Sequence, residues 1–370
     1  MIDVIFFVNS LDSGGLENYL LRFLNHKSTY FNKVYIYCKS GRGGQLEELY
    51  SQIENVEIIK KKLGFLDLKS YLDLGNFLKS KKIDTVCDMT GDFGGLVLYT
   101  AKKSKIPNRV ASYRSSENFF KPNFLKKIYN LGVRILVLKS STSILSNSKA
   151  AFNNFYSNIW RNDSRFKIIY NGINAENFNN IDGDLRKELN IPEDAFVVGH
   201  TGRFTSAKNH HTILQVAFAL INKYKNIYFI LCGNGVSKNL SEQVKKMNME
   251  SRVFVFENRS DIPLFLNTMN CFLFPSITEG QPNALIEAMV LGIPCIASNI
   301  EPIKETIDTT NNLFAPQDVN GFVKTIENLY KTYNGTIYRL DNTEMVKKFD
   351  ADILFDQFYN VLSDKKPLDF

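Results

Sequence analysis

The sequence predicts an α/β protein made of two doubly wound parallel-sheet domains, and three observations support this fold. Short apolar runs alternate with helical patterns along the whole chain, as in parallel sheets covered by helices. The length of 370 residues favours two domains over one. The alternation occurs on each side of Asn171-Gly172, a turn dipeptide that follows a predicted strand.

The first domain is predicted at residues 1–172, and seven apolar runs indicate its strands. These runs are Val4–Val8, Val34–Cys38, Val56–Ile59, Thr85–Met89, Val110–Tyr113, Ser143–Ser146 and Lys167–Tyr170. Helical patterns lie between them, for example Leu16–Leu24 and Leu96–Lys103. The beginning of the chain carries an acid and no basic segment, so we expect a strand there and not a signal peptide.

The second domain is predicted at residues 173–349 and repeats the pattern. Its strands are expected at Phe196–His200, Ile227–Leu231, Val253–Phe256, Cys271–Phe274 and Pro294–Ala297. Its helices are expected at His210–Tyr224, Leu240–Met247, Ile262–Thr268, Asn283–Leu291 and Val319–Tyr333. A last helical segment, at about residues 350–370, is expected to pack back on the first domain. Two such halves imply a cleft, where pockets tend to form.

Composition and charge narrow the classes of function. A hydrophobic content of 44% is ordinary for a soluble globular protein, and no apolar run reaches the length of a transmembrane helix. The net charge of +7 is uneven, because residues 1–180 carry +11 and the remainder carries −4. The basic half favours an anionic partner such as a membrane surface, a lipid phosphate or nucleic acid, and a generally basic proteome is the plain alternative.

A basic amphipathic segment at residues 119–134 could lie on an anionic bilayer, although docking on its own sheet is the plainer explanation. Other kinds of site are disfavoured. The five cysteines form no CxxC pair, so we expect buried free thiols in a reducing compartment and no structural zinc. The four histidines lack metal-binding spacing, and neither a GxSxG elbow nor a Walker A loop is present.

Two glutamates, Glu279 and Glu287, are the most informative residues. The apolar run Cys271–Phe274 predicts a buried strand that ends at Pro275, and Pro282 suits the first turn of the next helix. Ligands of open α/β sheets bind at the carboxyl ends of the strands, where both glutamates are expected. Carboxylates can bind a polyol there, and free helix amides can bind an anion. A nucleotide-sugar has both of these parts.

A loop from Gly202 to His210 is expected at the same sheet edge. Its two cations, Arg203 and Lys208, could neutralise a diphosphate, with Arg binding in bidentate fashion and Lys as a point charge. The alternative is a solvated loop in which Asn209 caps the following helix.

Three other loops give weaker signals. Gly14-Gly15 joins the first strand to the first helix, where it could approach a phosphate or form only a tight turn. Gly233 follows another strand and could let a base or a ribose lie against the backbone. Arg259 could offer backbone groups to a base, and an ordinary loop with Ser260 or Asp261 as the helix cap fits equally well.

Together these residues resemble the retaining glycosyltransferases of family 4, often called glycosyl transferases group 1. The resemblance covers most of the chain and is strongest from Asn171 to Ser298. It rests on Glu-x7-Glu at 279 and 287, on Gly-Arg…Lys-Asn-His at 202–210, and on Asn-Gly-Ile-Asn at 171–174. It implies the GT-B fold, in which two Rossmann-like domains face across a cleft and a C-terminal helix crosses back to the first domain.

The resemblance also implies roles for the matching residues. Glu279 would bind the hydroxyls of the donor sugar, and Glu287 would bind the ribose. Arg203 and Lys208 would stabilise the departing diphosphate, which Gly14-Gly15 would contact from the opposite domain. The implied donor site is completed by Gly233, Arg259, Gly280, Gln281, Asn283, Ala284 and Leu285.

One position departs from the family pattern. Relatives often have a histidine after the strand that corresponds to Val110–Tyr113, and here Arg114 takes its place. Arg114 stays protonated and cannot be a general base, but it could bind a donor hydroxyl or an anionic acceptor. Glu117 is a candidate substitute carboxylate, and the leaving phosphate itself could accept the proton.

We therefore expect a metal-independent, retaining glycosyltransferase that moves a hexose from a nucleoside diphosphate, UDP rather than GDP, to a glycan hydroxyl. The acceptor would be linked to polyprenyl diphosphate, in capsule, O-antigen or exopolysaccharide assembly. The protein would be cytoplasmic, peripheral at the inner membrane face, and would not bind nucleic acid. One alternative is a non-catalytic partner subunit that binds a sugar-nucleotide, which the intact site residues disfavour. Another is a sugar-nucleotide 2-epimerase, which would need acid–base carboxylates and histidines of which this sequence offers only a poor supply.

Overall fold

The computed structural model describes residues 1–64, 67–114, 124–178, 183–307 and 311–364. The chain divides into two units. Unit 1 comprises Met1–Gly172 and Asp352–Phe370, and unit 2 comprises Ile173–Ala351. Each unit has its own sheet with helices, and every strand pair in both sheets is parallel. The predicted class, two Rossmann-like α/β domains, is confirmed.

The strands, in chain order, are β1 (Asp3–Val8), β2 (Lys33–Cys38), β3 (Val56–Lys60), β4 (Thr85–Asp88), β5 (Asn108–Tyr113), β6 (Ser143–Ser146), β7 (Phe166–Ile168), β8 (Phe196–Thr201), β9 (Ile227–Cys232), β10 (Val253–Phe256), β11 (Cys271–Phe274), β12 (Cys295–Ser298) and β13 (Leu313–Phe314).

The helices, in chain order, are α1 (Gly15–Lys27), α2 (Glu47–Ser51), α3 (Leu68–Ser80), α4 (Gly95–Lys103), α5 (Phe124–Ser140), α6 (Lys149–Tyr156), α7 (Leu185–Glu188), α8 (His210–Lys223), α9 (Val236–Lys246), α10 (Ile262–Thr268), α11 (Asn283–Val290), α12 (Glu301–Thr306), α13 (Val319–Thr332), α14 (Thr343–Lys348) and α15 (Ala351–Ser363).

Unit 1 has a seven-stranded sheet in the order β3-β2-β1-β4-β5-β6-β7. Helices cover both faces, so its central strands are apolar on both sides. Successive side chains of β1 point to opposite faces. Phe6 packs against α1 and α15, whereas Ile5 and Phe7 belong to the core formed with α3, α4 and α5.

The final helix, α15, packs on unit 1 as the sequence predicted. Phe358 is fully buried, and its ring centroid lies 4.7 Å from that of Phe23 and 6.0 Å from that of Tyr19. At the end of the helix, the carbonyl of Leu362 accepts hydrogen bonds from Asn108 and from the Thr85 hydroxyl. The sheet of unit 1 and α15 are therefore joined by aromatic packing and by buried hydrogen bonds.

Unit 2 has a six-stranded sheet in the order β10-β9-β8-β11-β12-β13. The edge strand β13 has two residues and was not predicted, because so short a run carries no periodic signal. The sequence predicts that α9 begins at Leu240, whereas in the structure it begins at Val236.

The structure also bears on two expectations drawn from composition, the state of the cysteines and the absence of a membrane-spanning helix. All five cysteines are free; four are buried and Cys295 is partly exposed. Within the described ranges, no helix combines the length and the apolar character needed to cross a bilayer.

Candidate active site

The carboxyl ends of β8 and β11 are neighbours in unit 2, and the loops that follow these strands are joined there. The amide of Ile277 donates a hydrogen bond to the carbonyl of Ala207 at 2.7 Å. Asn209 adds a second connection, because its side-chain amide donates to the carbonyl of Pro275 at 3.1 Å. The sequence placed both loops at one sheet edge, and the structure brings them into direct contact.

Lys208 and Glu279 form the central ion pair of this edge. Lys208 Nζ lies 2.6 Å from Glu279 Oε1 and 4.6 Å from the ring centroid of Phe274. The two side chains are only 20% and 10% exposed. Shielding from water strengthens an ion pair, so Lys208 and Glu279 hold each other in place. Arg203 is exposed at the beginning of the same loop.

Helix α11 begins directly beyond this ion pair, and Glu287 is its fifth residue. Pro282 occupies the position before the helix, not its first turn. The amide of Asn283 donates to the carbonyl of Gln281 at 3.0 Å. The next two amides of the first turn, those of Ala284 and Leu285, have no acceptor within the helix, because the first amides of any α-helix precede its first hydrogen-bonded turn. Such amides favour anions.

The side chain of Asn209 does not cap α8, so the alternative role considered for this residue is not observed. It has a positive φ of 55° and makes no side-chain cap. Its side-chain amide instead donates to the carbonyls of Pro275 and Pro316, the latter at 2.7 Å. Asn tolerates this left-handed conformation better than most residues. Its role is to fix the loop that carries Lys208 to two other loops at the sheet edge.

Gly233 is required by close packing. A Cβ at this position would lie 2.1 Å from the carbonyl oxygen of Gly202, which no side chain can occupy. The amide of Gly202 in turn donates to the carbonyl of Cys232 at 2.9 Å. The loop after β9 thus supports the loop that carries Arg203.

The guanidinium of Arg259 is engaged in ion pairs. It lies 2.7 Å from Asp261 and 3.1 Å from Glu188, and the hydrogen bonds that it donates to these carboxylates raise its pKa. Asp261 sits before α10 but makes no side-chain cap, because Arg259 binds its carboxylate. The predicted role of Arg259 concerned its backbone and stays a prediction.

Sequence reasoning missed Glu257, which caps α9. Its carboxylate accepts hydrogen bonds from the amides of Gly235 at 2.7 Å and Lys238 at 2.8 Å. These bonds lower the pKa of Glu257. The acidic residue directly after β10 was the available signal, but its partner lies in a loop about 20 positions earlier, a separation that local patterns do not cover.

Sequence reasoning also missed a pair of buried histidines beside Lys208. The rings of His200 and His210 meet edge to face, with centroids 5.1 Å apart, and both residues are buried. Nδ1 of His200 lies 2.9 Å from the carbonyl oxygen of Leu273. Burial, with a smaller contribution from Lys208, lowers the pKa of His210 to about 4, and burial places the pKa of His200 well below its usual value. Both rings are therefore neutral at pH 7.

The low pKa of His210 predicts that acid destabilises the fold. Between pH 6.5 and about 4 the unfolded chain takes up a proton that folded His210 does not, so stability is lost as the pH falls through this range. For His210 alone the loss approaches about 3 kcal/mol. Urea unfolding followed by circular dichroism should show a shallower pH dependence in His210→Asn than in the wild type. Parallel pH profiles of the two proteins would contradict the assignment.

In unit 1, the Gly14-Gly15 turn begins α1 as predicted, with Gly15 as the first helical residue. The amide of Asn18 donates to the carbonyl of Gly14 at 2.9 Å. Gly44 packs closely against this loop, because a Cβ there would lie 2.2 Å from the amide nitrogen of Asp12.

Arg114 is held within unit 1. Its guanidinium lies over the ring of Tyr19, 3.8 Å from the centroid, and donates to Ser112 Oγ at 3.1 Å and to the side-chain oxygen of Asn171. These contacts fix the side chain at the carboxyl end of β5. Glu117 lies outside the described residues.

The described part of the chain contains no group of three or more His, Cys, Asp or Glu side chains arranged to hold a metal ion.

Several curated proteins have related sequences. The O-antigen biosynthesis glycosyltransferase WclY of Escherichia coli is 35% identical over 143 residues, which cover 38% of this chain and 39% of that protein. The capsular polysaccharide biosynthesis glycosyltransferase CapH of Staphylococcus aureus is 26% identical over 96% of this chain and 95% of its own. A UDP-Gal:alpha-D-GlcNAc-diphosphoundecaprenol alpha-1,3-galactosyltransferase of E. coli is 25% identical over 78% of this chain and 73% of its own.

Solved structures share the fold. HepE of Anabaena, in complex with UDP and glucose, has a TM-score of 0.79 at 19% identity and covers 98% of this chain and 100% of its own. WaaG, a glycosyltransferase involved in lipopolysaccharide biosynthesis, has a TM-score of 0.73 at 15% identity, with coverage of 97% and 99%. Residues 182–342 match the glycosyl transferases group 1 family. The chain therefore has the GT-B fold, and its residues 182–342 carry a glycosyl transferases group 1 domain.

Proposed function

We propose that this glycosyltransferase moves a hexose from UDP to a hydroxyl of a glycan carried on polyprenyl diphosphate, with retention of anomeric configuration, in surface polysaccharide assembly. The named functions of the relatives in O-antigen and capsule synthesis support the pathway class. A UDP-galactose donor and a diphosphoundecaprenol acceptor appear in the name of one relative, and HepE binds UDP and glucose. Such an enzyme works at the cytoplasmic face of the membrane.

The observation that carries this proposal is the Lys208–Glu279 ion pair beside the amino terminus of α11. A sugar diphosphate offers a partner to each member of the pair. The diphosphate can replace Glu279 as the anion beside Lys208, and the sugar hydroxyls can donate to the carboxylate that is released. Glu287, one turn into α11, would bind the ribose.

The chemistry is electrostatic. As the anomeric bond breaks, negative charge grows on the diphosphate and positive charge grows on the sugar ring. Lys208, Arg203 and the amides of Ala284 and Leu285 stabilise the first charge, and fixed donors of this kind are the largest contributors to many enzymatic rates. Protein cations thus take the part that a divalent metal would otherwise play. The leaving phosphate accepts the proton of the acceptor hydroxyl, since Arg114 cannot.

Substitution of the two glutamates is expected to affect different quantities, turnover for Glu279 and UDP affinity for Glu287. Glu279→Gln removes a charged acceptor of the sugar hydroxyls, so turnover should fall about 10- to 100-fold. Affinity for UDP should not fall, because UDP has no hexose and its diphosphate no longer competes with Glu279 for Lys208. Glu287→Gln removes a charged acceptor of the ribose, so affinity for UDP itself should fall about 10- to 100-fold. Calorimetric titration with UDP and a transfer assay measure these effects, and Glu242→Gln, an exposed change on α9, is the control. Unchanged UDP affinity in Glu287→Gln would refute the ribose assignment.

A panel of UDP- and GDP-hexoses tests the reaction class with wild-type protein. Incubated without an acceptor, a transferase releases free hexose slowly, a 2-epimerase produces a different sugar-nucleotide, and a binding subunit does neither. Release of hexose only from a UDP-sugar is the expected result. A GDP-sugar as the only substrate would overturn the choice of base.

A further inference from the structure

The outer face of α5 in unit 1 is apolar. Ile128, Leu131 and Ile135 are 55%, 58% and 41% exposed, and their spacing of three and four residues aligns them in one row. We call these three residues the outer stripe. The opposite face of the same helix is also apolar, with Val133 and Val137 buried against unit 1. A surface helix ordinarily has a polar outer face, so the outer stripe requires a partner.

The inner face of α5 is firmly attached, so the outer stripe does not arise from a poorly docked helix. Arg134 donates to Asp92 Oδ2 through Nε at 3.1 Å and Nη2 at 2.7 Å. The other carboxylate oxygen of Asp92 accepts from the Tyr113 hydroxyl at 2.6 Å, and that hydroxyl lies 2.5 Å from the hydroxyl of Tyr156. This buried network fixes α5, and hence the direction in which the outer stripe faces.

The segment of sequence that contains the outer stripe carries charge of one sign. Residues 118–162 hold seven basic residues and no acidic residue. Lys127 and Lys139 are exposed at the two ends of the stripe. Apolar side chains flanked by lysines match the surface of an anionic bilayer, in which acyl chains lie beneath negative headgroups.

A second helix shows the same feature near the same sheet edge. Leu68 and Leu72, in the first half of α3, are 79% and 70% exposed, and Lys69 between them is exposed. Helices that connect parallel strands run against the strand direction, so their first turns lie at the carboxyl edge of the sheet. The exposed apolar residues of α3 and the first half of α5 therefore lie towards the edge at which ligands of such sheets bind.

We propose that the outer stripe and its flanking lysines dock unit 1 on an anionic lipid bilayer, with Ile128, Leu131 and Ile135 inserted among the headgroups. The residues of this surface all belong to unit 1, whereas Lys208 and Glu279 belong to unit 2, and the proposal does not depend on the identity of the donor. It identifies the surface by which a chain of this kind reaches a lipid-borne substrate.

Flotation of the full chain with vesicles tests the proposal. Wild-type protein should float with vesicles of phosphatidylcholine and phosphatidylglycerol, remain unbound with phosphatidylcholine alone, and be released by salt. Ile128→Ser with Leu131→Ser should reduce vesicle binding about tenfold or more, because apolar insertion is lost. The matched control, Leu49→Ser with Ile353→Ser, removes two residues that are 46% and 55% exposed elsewhere on unit 1 and should bind normally.

Charge is tested separately. Lys127→Gln with Lys139→Gln should lower vesicle binding roughly 30-fold, since each lysine at an anionic surface contributes about 1 kcal/mol. Lys245→Gln with Lys246→Gln makes the same change in net charge on exposed positions of α9 and should leave binding intact. Equal losses in both lysine pairs would mean that net charge alone drives binding, and this would overturn the proposal.

Two further outcomes would also overturn it. Failure of the wild type to bind anionic vesicles is one. The other is a concentration-dependent dimer, seen by light scattering, that Ile128→Ser with Leu131→Ser dissociates, because the stripe would then be an interface between copies. Release of hexose from a UDP-sugar in solution should be unaffected by the stripe variants, so a failure of the docking proposal is distinguishable from a failure of the proposed reaction.

Discussion

A protein that carries both Arg203→Ala and Lys208→Ala is expected to transfer sugar at least about 10³-fold more slowly than the wild type. Loss of a single preorganised donor to developing negative charge costs on the order of 10²–10³ in rate, and this variant loses two. Steady-state transfer from the preferred UDP-hexose measures the effect. Lys225→Ala with Lys331→Ala, at exposed positions of the same unit, is the matched control.

Stability must be measured beside activity in this experiment. Lys208 is the cation beside Glu279, whose side chain is only 10% exposed, so Lys208→Ala leaves a shielded carboxylate without its partner. Circular dichroism and thermal unfolding identify a variant that has lost its fold. Near-normal transfer by a folded double variant would reject the assignment of both cations.

Phe358→Ala on α15 is expected to lower the stability of unit 1 by about 3–5 kcal/mol, the usual cost of removing a buried phenylalanine ring. The ring is fully buried and packs against Phe23 and Tyr19. The single tryptophan of the chain, Trp160, packs on Phe152 in unit 1. Its fluorescence during urea unfolding therefore follows unit 1 selectively.

The control for this change is Ile353→Ala, on the same helix but 55% exposed. It should shift the urea midpoint only slightly, as exposed substitutions usually do. An equal midpoint in wild type and Phe358→Ala would show that α15 does not contribute to the stability of unit 1.

The fold was predictable because its signals are local. Buried strands of a parallel sheet are continuous apolar runs, and amphipathic helices separate them, so the alternation of β1, α1 and β2 is visible in a short window of sequence. The two-residue strand β13 shows where this fails, since it is defined only by its pairing with β12.

The candidate site was predictable only in part. The loops of Lys208 and Glu279 were expected at one sheet edge because strand ends in an α/β sheet converge there, and their direct contact agrees with this. Asn209, Glu257 and the His200–His210 pair were misassigned or missed. Each of them acts through a partner in another loop or strand. Asn209, for example, stands where it could cap its own helix, and nothing in the neighbouring sequence shows that its side chain binds other loops instead.

The position of α15 in unit 1 has a consequence for biosynthesis. Unit 2 is continuous in sequence, whereas unit 1 lacks its last helix until all 179 residues of Ile173–Ala351 have been translated. At ribosomal speeds of roughly 5–20 residues per second, the aromatic surface formed by Phe6, Tyr19 and Phe23 stays uncovered for about 10–40 s. During this interval the nascent chain exposes an aromatic surface that chaperones can bind. Unit 1, although most of it is synthesised first, can complete its fold only after α15 has been synthesised.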